Sequence, residues 1–482
     1  MHSSNDKINM AQDGIHRGKI MLQWQNLLNP KRRKDKFGTA SQVHSANGRV
    51  ELERDYDRIL FATPTRRMAD KTQVFPLERN DSVRNRLTHS HEVSSLARSI
   101  GTRLAFEHGE SIFDGCDQMM MIRCVPALLS AIGLVHDLGN PPFGHQGEAA
   151  IQAWFRKNQQ SIFGTESKLA HDFVNFDGNA QTFRLVTKLQ VLNDSFGLNL
   201  TYATLASMIK YPIDSQHLAD TDWKKHGYFA SETDIIKDIW QETGLNQDVR
   251  HPFTYLMEAC DDIAYSVLDS EDIVKKGFAS FSDIIDHLDS LREKDPVTNW
   301  VTKNAKVKNS EFKAERLSPK ELNDVSMQMF RVYAITALVN ATINQFIEDK
   351  DFILSGEAPP SYDLISSSPA RDFCRSMKQF DRAHGYNHKS VLELELKGNN
   401  YIHNIMDMLW HGIENMHNGQ HPSLFSKYAY QRISENYRRV FEQGDTHMPI
   451  AYRKAQLLTD AISGMTDNYL IQVHDELKAL YG

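Results

Sequence analysis

The stretch "LVHDLGNPPFGHQGEAA", Leu134 to Ala150, ends an apolar run on two side chains able to hold a metal ion, His136 and Asp137. Gly, Asn and two Pro follow, then a second His and a Glu. His145 and Glu148 stand at i and i+3, close enough to share a helical face. A His held by a carboxylate is the usual general acid–base arrangement. Alone, a His-Asp pair at a helix end reads as a cap or a surface feature. Three observations weigh against that. The preceding residues are strongly apolar, so the pair sits deep, where an Asp is costly unless paired or metal-bound. A further imidazole, His89 in "NRLTHSHEVSS", precedes an amphipathic helix and can project from its first turn. An acidic pair, Asp261 and Asp262, interrupts the otherwise apolar "YLMEACDDIAYSVLD". Two His and two Asp make a nitrogen–oxygen set for a divalent ion. With no thiolate, the choice leans to Mn, Mg, Fe, Co or Zn. Such an ion can lower the pKa of a bound water and polarise a phosphoryl oxygen.

Helices must position these groups. "HEVSSLARSIGTRLAFEH" puts Val93, Leu96, Ala97, Ile100 and Leu104 on one face, and "VPALLSAIGLV" is apolar nearly all round, which predicts a buried central helix. Few segments alternate at period two. The fold expected is all-α, with at most one short hairpin. The 482 residues, 40% hydrophobic and 24% charged, suffice for a large core. Residues 1–48 read as a mobile polar and basic arm, in which "KRRKDK" (Lys31 to Lys36) is a solvated charge run. Residues 49–482 read as a single large helical domain, with loop-rich insertions near 294–322 and 355–371. No apolar stretch is read as reaching transmembrane length, and the N-terminus lacks the apolar core of a signal peptide. The four cysteines lack C-x-x-C spacing, which fits a reducing cytoplasm. With a net charge of −7, any phosphate-binding cations must be gathered locally.

"RLTHS", "HDLGNPPFGHQGEAAI" and "EACDDIAYSVLD" together resemble the HD-domain superfamily, specifically the bacterial deoxyguanosine triphosphate triphosphohydrolases. "NFDGNAQTFRLVTKL", "LASMIKYP" and "LLTDAISGMTDNY" are similar to the same family, and the resemblance runs from about Asp55 to about Tyr469. It implies metal-dependent hydrolysis of dGTP to deoxyguanosine and inorganic triphosphate, with Mg, Mn or Co as the ion. By motif, His89, His136, Asp137 and Asp261 would be the metal ligands. Asp261 is preferred to Asp262 because the family places a Tyr four residues on and an acid four beyond that, which Tyr265 and Asp269 satisfy. His145 and Glu148 would be the catalytic pair. Tyr265 would lie against the 2′ carbon of the sugar, and Asp269 and Gln73 would bond the 3′-hydroxyl. Arg86, Lys210, Tyr211 and Lys378 would contact phosphates, and Tyr386 would lie near the substrate.

Two other functions are weighed: a triphosphohydrolase acting on all dNTPs, and a nucleotide-binding regulator with an HD fold. The second is disfavoured because every ligand and both acid–base residues are present. The resemblance also implies a homo-oligomer, a hexamer before a tetramer. The basic segments, with Arg438 and Arg439, leave room for single-stranded DNA as an effector. No membrane partner is expected. His91 departs from the family pattern and is read as a surface or interface residue.

Overall fold

The computed structural model describes residues 21–37, 48–164, 168–190, 195–417, 421–444 and 447–481. The chain is 72% helical, with no strand among the described residues. In place of a hairpin there are two isolated bridges, Arg32 with Thr201 and Asp214 with Tyr228.

Helices α1 (Glu51–Leu60), α2 (Arg86–Glu107) and α3 (Gln118–Val135) pack side by side. A reciprocal cap starts α2: Asn85 Oδ1 accepts from the Thr88 amide at 3.0 Å, and Thr88 Oγ1 accepts from the Asn85 amide at 3.1 Å. Such a cap contributes about 1 kcal/mol. Asp117 caps α3 by accepting from the Met119 amide at 2.9 Å. As its composition demands, α3 is buried on nearly every side of its second half. Its 18 residues have mean hydropathy 1.7, long and apolar enough to cross a membrane, which corrects the reading that no stretch is. Here the helix is the centre of a core, and that composition is equally what a core helix needs. Small residues let α2 and α3 approach closely. A Cβ on Gly133 would lie 2.8 Å from Ser94 Cα, and Ser94 Oγ donates to the Ser130 carbonyl at 2.7 Å.

After α3 the chain turns through the two prolines, and Phe143 adopts a left-handed φ of 60°. That conformation is uncommon for a bulky side chain and is held by context. The Phe143 amide donates to Asp467 at 3.0 Å, and its ring fills the space left by Gly398, whose Cβ would meet it at 2.5 Å. The turn launches α4 (Gly144–Phe163), followed by α5 (Gly178–Arg184). Farther on, α6 (Pro252–Ile263) passes through a π-turn, Ala264–Leu268, into α7 (Asp269–Lys275).

Two expectations fail outside this core. Residues 294–322 are not loop-rich: α8 (Pro296–Ala314) occupies most of them and α9 (Pro319–Glu348) begins before they end. Asp295 accepts from the Thr298 amide at 2.7 Å, and Pro296 takes the first helical position. The polar content that read as loop is the solvated face of a helix. Residues 355–363 are irregular, as expected, and a short turn of helix, Leu364–Ser367, precedes α10 (Arg371–Asp381). The second failure is the arm. Residues 1–20 and 38–47 lie outside the described residues, but 21–37 pack onto the body. Trp24 meets the rings of Phe113 and Phe253 at 4.9 and 5.1 Å, and the Leu27 carbonyl accepts from His251 Nε2 at 3.2 Å. Within the basic run, buried Arg32 pairs with Asp55 at 2.7 Å and Glu51 at 2.8 Å, while Arg33 and Lys36 both pair with Asp238. Those partners are distant in sequence, so a local reading cannot see them.

Candidate active site

The close approach of α2 and α3 brings His89, on the first turn of α2, to His136 at the end of α3, with ring centres 5.5 Å apart. Asp261 reaches them from α6. One ligand atom from each of the three lies within 4.8 Å of the others. His89 Nε2 is 3.1 Å and His136 Nε2 3.5 Å from the same oxygen, Asp261 Oδ1. The His136 Nδ1–H donates to the Gly133 carbonyl at 2.8 Å, which fixes the ring orientation and turns Nε2 into the cluster. That nitrogen is buried without a hydrogen-bond partner. An orphaned buried polar atom is rare enough to need a ligand or another explanation. Burial pulls the His136 imidazole down, but Asp137 and Asp261 outweigh it and raise it to about 9. Against the same burial, His136 and His89 hold Asp261 well below the usual carboxylate range. Two imidazoles and a carboxylate oxygen, in a pocket that favours positive charge, fit a divalent cation.

Asp137, expected as the fourth ligand, stands beside the trio and not in it. Its Oδ2 is 3.5 Å from His136 Nε2 and is ion-paired with Arg86, while its Oδ1 accepts from Asn140 Nδ2 at 2.6 Å. Burial would raise Asp137; Arg86 and His136 bring it to about 2. Arg86 is itself anchored by the Thr72 carbonyl at 3.1 Å.

The His145–Glu148 pair forms on the first turn of α4. His145 Nδ1 lies 3.0 Å from Glu148 Oε2, with the imidazole 83% exposed and the carboxylate only 8%. Glu148 Oε1 accepts from the Gly178 amide, where α5 begins, at 2.7 Å. The Glu148 hydrogen bond, with the charge of that carboxylate, raises His145 above its ordinary value. A buried acid, clamped by backbone, thus aims an exposed base.

Of the expected substrate contacts, Tyr265, Tyr386 and Asp269 come together. Tyr265 sits in the π-turn after α6 and Tyr386 in a second π-turn, Arg382–Tyr386, after α10. Their rings stack at 5.5 Å and 12°. Tyr386 donates its hydroxyl to Asp269 Oδ2, while Asp269 Oδ1 and Gln73 Oε1 are buried acceptors without partners. Turns of more than four residues keep Asp261, Tyr265 and Asp269 nearer one line than an unbroken α-helix would. The expected phosphate cations, by contrast, are all engaged with carboxylates: Arg86 with Asp137, Lys210 with Glu258 at 3.6 Å, and Lys378 with Asp262 at 2.7 Å. Tyr211 packs edge-on against Trp223. His91 is exposed.

Sequence reasoning passed over several groups here. Asn140 lay inside the motif string and orients Asp137. Lys71 donates to the Asn140 and Ser463 carbonyls at 2.6 and 2.8 Å, and burial with Arg86 nearby lowers it to about 7. Lys225 bonds Asp177 at 2.6 Å and lies 3.8 Å from Glu148. Neither lysine has a local sequence signal.

Comparison with known proteins shows the family. The HD domain family matches residues 86–176, which carry His89, His136, Asp137, His145 and Glu148, and the phosphohydrolase-associated domain matches residues 364–476. Over 95% of this chain and 100% of theirs, a deoxyguanosinetriphosphate triphosphohydrolase-like protein of Listeria monocytogenes is 35% identical and one of Synechocystis 32%. A deoxyguanosinetriphosphate triphosphohydrolase of Yersinia pestis is 31% identical over 91% of this chain and 96% of its own. The chain belongs to the deoxyguanosinetriphosphate triphosphohydrolase family of HD-domain phosphohydrolases.

Proposed function

We propose that the protein hydrolyses deoxynucleoside triphosphates, dGTP foremost, to a deoxynucleoside and inorganic triphosphate. The observation that carries a metal-dependent phosphohydrolase is the convergence of His89, His136 and Asp261 around an unpartnered His136 Nε2, beside the His145–Glu148 pair. The preference for dGTP rests on the names of the relatives.

In this reading His89, His136 and Asp261 would hold a divalent cation, and Asp137 would complete the set once Arg86 turns from it to a phosphate oxygen. When bound, the cation supplies Lewis-acid polarisation of a phosphoryl oxygen. A water oxygen bonds to the α-phosphorus, the bond to the 5′ oxygen breaks, and that oxygen takes up a proton. His145, with Nδ1 committed to Glu148, exchanges a proton at Nε2 in this step. Arg86, Lys210 and Lys378 trade their carboxylate partners for phosphate oxygens and fix the triphosphate. Tyr265, backed by Tyr386, packs against the 2′ carbon and leaves no room for a ribose hydroxyl. Asp269 and Gln73 accept from the 3′-hydroxyl; a sugar lacking it leaves both unpaired.

Product analysis tests the reading. The metal-loaded protein is incubated with each dNTP and each rNTP, and nucleosides, nucleotides and phosphates are separated by ion-pair chromatography. Deoxyguanosine plus intact triphosphate, mainly from dGTP, is the expected result. Equal release from all four dNTPs removes the dGTP preference and keeps the chemistry. Monophosphate plus pyrophosphate overturns the bond assignment.

A further inference from the structure

The mechanism uses Lys378 on α10 but leaves unused the cations that continue its row. Arg371, Arg375 and Lys378 stand at i, i+4 and i+7, so they repeat down one face of the helix. Arg382 follows on the π-turn, and all four line a groove of about 310 Å³. Ser366 forms part of its opposite wall and Asp262 stands among the cations. Asp262 is the residue after the ligand Asp261, and Lys378 bonds it at 2.7 Å while lying 5.9 Å from the Tyr265 ring centre. The Lys378 end of the groove therefore lies against α6, the helix that carries Asp261, and beside the Tyr265 ring. Arg375 and Arg371 lie one and two turns farther along, about 5.4 Å per turn.

These outer charges are poorly neutralised. Arg375 meets Asp372 at 3.4 Å, with the two side chains 54% and 56% exposed, so the pair contributes little. Among the described residues, the guanidiniums of Arg371 and Arg382 have no hydrogen-bond or ion-pair partner. Like charges three and four residues apart on a helix destabilise it. A polyanion in the groove offsets that repulsion, and forked guanidiniums suit phosphate oxygens.

We propose that this groove is a second polyphosphate site, which receives inorganic triphosphate after its bond to the sugar oxygen breaks. The proposal rests on the reaction read above. Lys378 holds the end of the substrate's phosphate chain; Arg375, Arg371 and Arg382 extend the cationic surface beyond it. The severed triphosphate moves outward along α10 while the deoxynucleoside leaves past Tyr265. Product inhibition by triphosphate follows from the same contacts.

Calorimetric titration of the full chain with inorganic triphosphate, in chelator and at low salt, reads this site apart from any metal. An Arg371→Ala/Arg375→Ala double variant changes only exposed side chains outside the catalytic machinery. It is expected to bind triphosphate about tenfold more weakly or worse, whereas Arg98→Ala/Arg439→Ala, which removes equal charge elsewhere, shifts it by less than about twofold. In turnover assays the triphosphate inhibition constant rises in parallel, while the initial rate without product is unchanged. Equal affinity in the Arg371/Arg375 variant and the parent overturns the proposal, as does an equal loss in the control. Arg371-dependent binding in a protein that releases no triphosphate from any dNTP overturns the reaction instead, and the product role with it.

Discussion

His136 and His145 are nine residues apart and both answer to carboxylates, yet they are built in opposite ways. His136 closes a core helix, is buried, and has its ring orientation set by the Gly133 carbonyl inside its own helix. His145 stands 83% exposed, and the fixed member of its pair is the buried Glu148, held in turn by the Gly178 amide. As the proposed metal ligand, His136 must not move, and the packing of α2 against α3 fixes it directly. As the proposed proton carrier, His145 must reach solvent and substrate, and the core fixes its partner and lets the partner aim it. Substitutions at the two histidines should therefore fail in different ways.

The largest effect is expected at the metal cluster. Replacing a partner outside the coordination shell typically costs about 10–100-fold. His136→Ala or Asp261→Ala removes a ligand outright and should exceed that in turnover, with bound metal, read by elemental analysis, falling alongside. His145→Ala should lower turnover by roughly 10²–10⁴-fold. It should leave metal content and melting temperature unchanged, because the side chain is exposed and ligates nothing. A His145 variant that loses metal, or a His136 variant that keeps it, breaks the contrast.

Gly133→Ala probes the same contrast from the scaffold. The added methyl would lie 2.8 Å from Ser94 Cα, so α2 and α3 must part. Overpacking of this kind costs about 1–3 kcal/mol. Denaturant unfolding should show that loss, and metal affinity should fall because His89 and His136 ride on the two helices. The His145 pair, carried by α4, should titrate as before.

How much of this was legible in the sequence follows from the range of the interactions. The His89, His136 and Asp261 cluster, the His145–Glu148 contact and the all-α fold were readable because each is written in a short motif or a helical period. Asp137's pairing with Arg86 was not, since a motif names a residue's type and place without its partner in a given state. Helix α8 was misread because its Lys, Asn and Ser face solvent, although the Asp295-Pro296 start signal was present. The basic run at Lys31 to Lys36 was misread because Asp238 and Asp55 come from other parts of the chain. The wall made by Tyr265 and Tyr386 depends on two π-turns, which periodicity at 3.6 residues cannot reveal.

The smallest expected effect is the sharpest test of how His145 is held. Glu148→Gln keeps the shape, and its amide oxygen can still accept from the Gly178 amide at the 2.7 Å now spanned by Oε1. The amide nitrogen then faces His145 Nδ1 as a donor. The ring must present Nδ1 as an acceptor and carry its proton on Nε2, the reverse of the present arrangement. Losing the carboxylate also removes the main cause that raises His145, so its pKa should fall toward or below the ordinary 6.5. Nitrogen NMR of the imidazole reads both changes at once. Any limb of the rate profile that tracks His145 deprotonation should move to lower pH, with a smaller drop in turnover than His145→Ala and no change in bound metal. An unchanged His145 titration in this variant would mean that Glu148 neither tunes nor aims it, and that the exposed histidine is oriented by substrate alone.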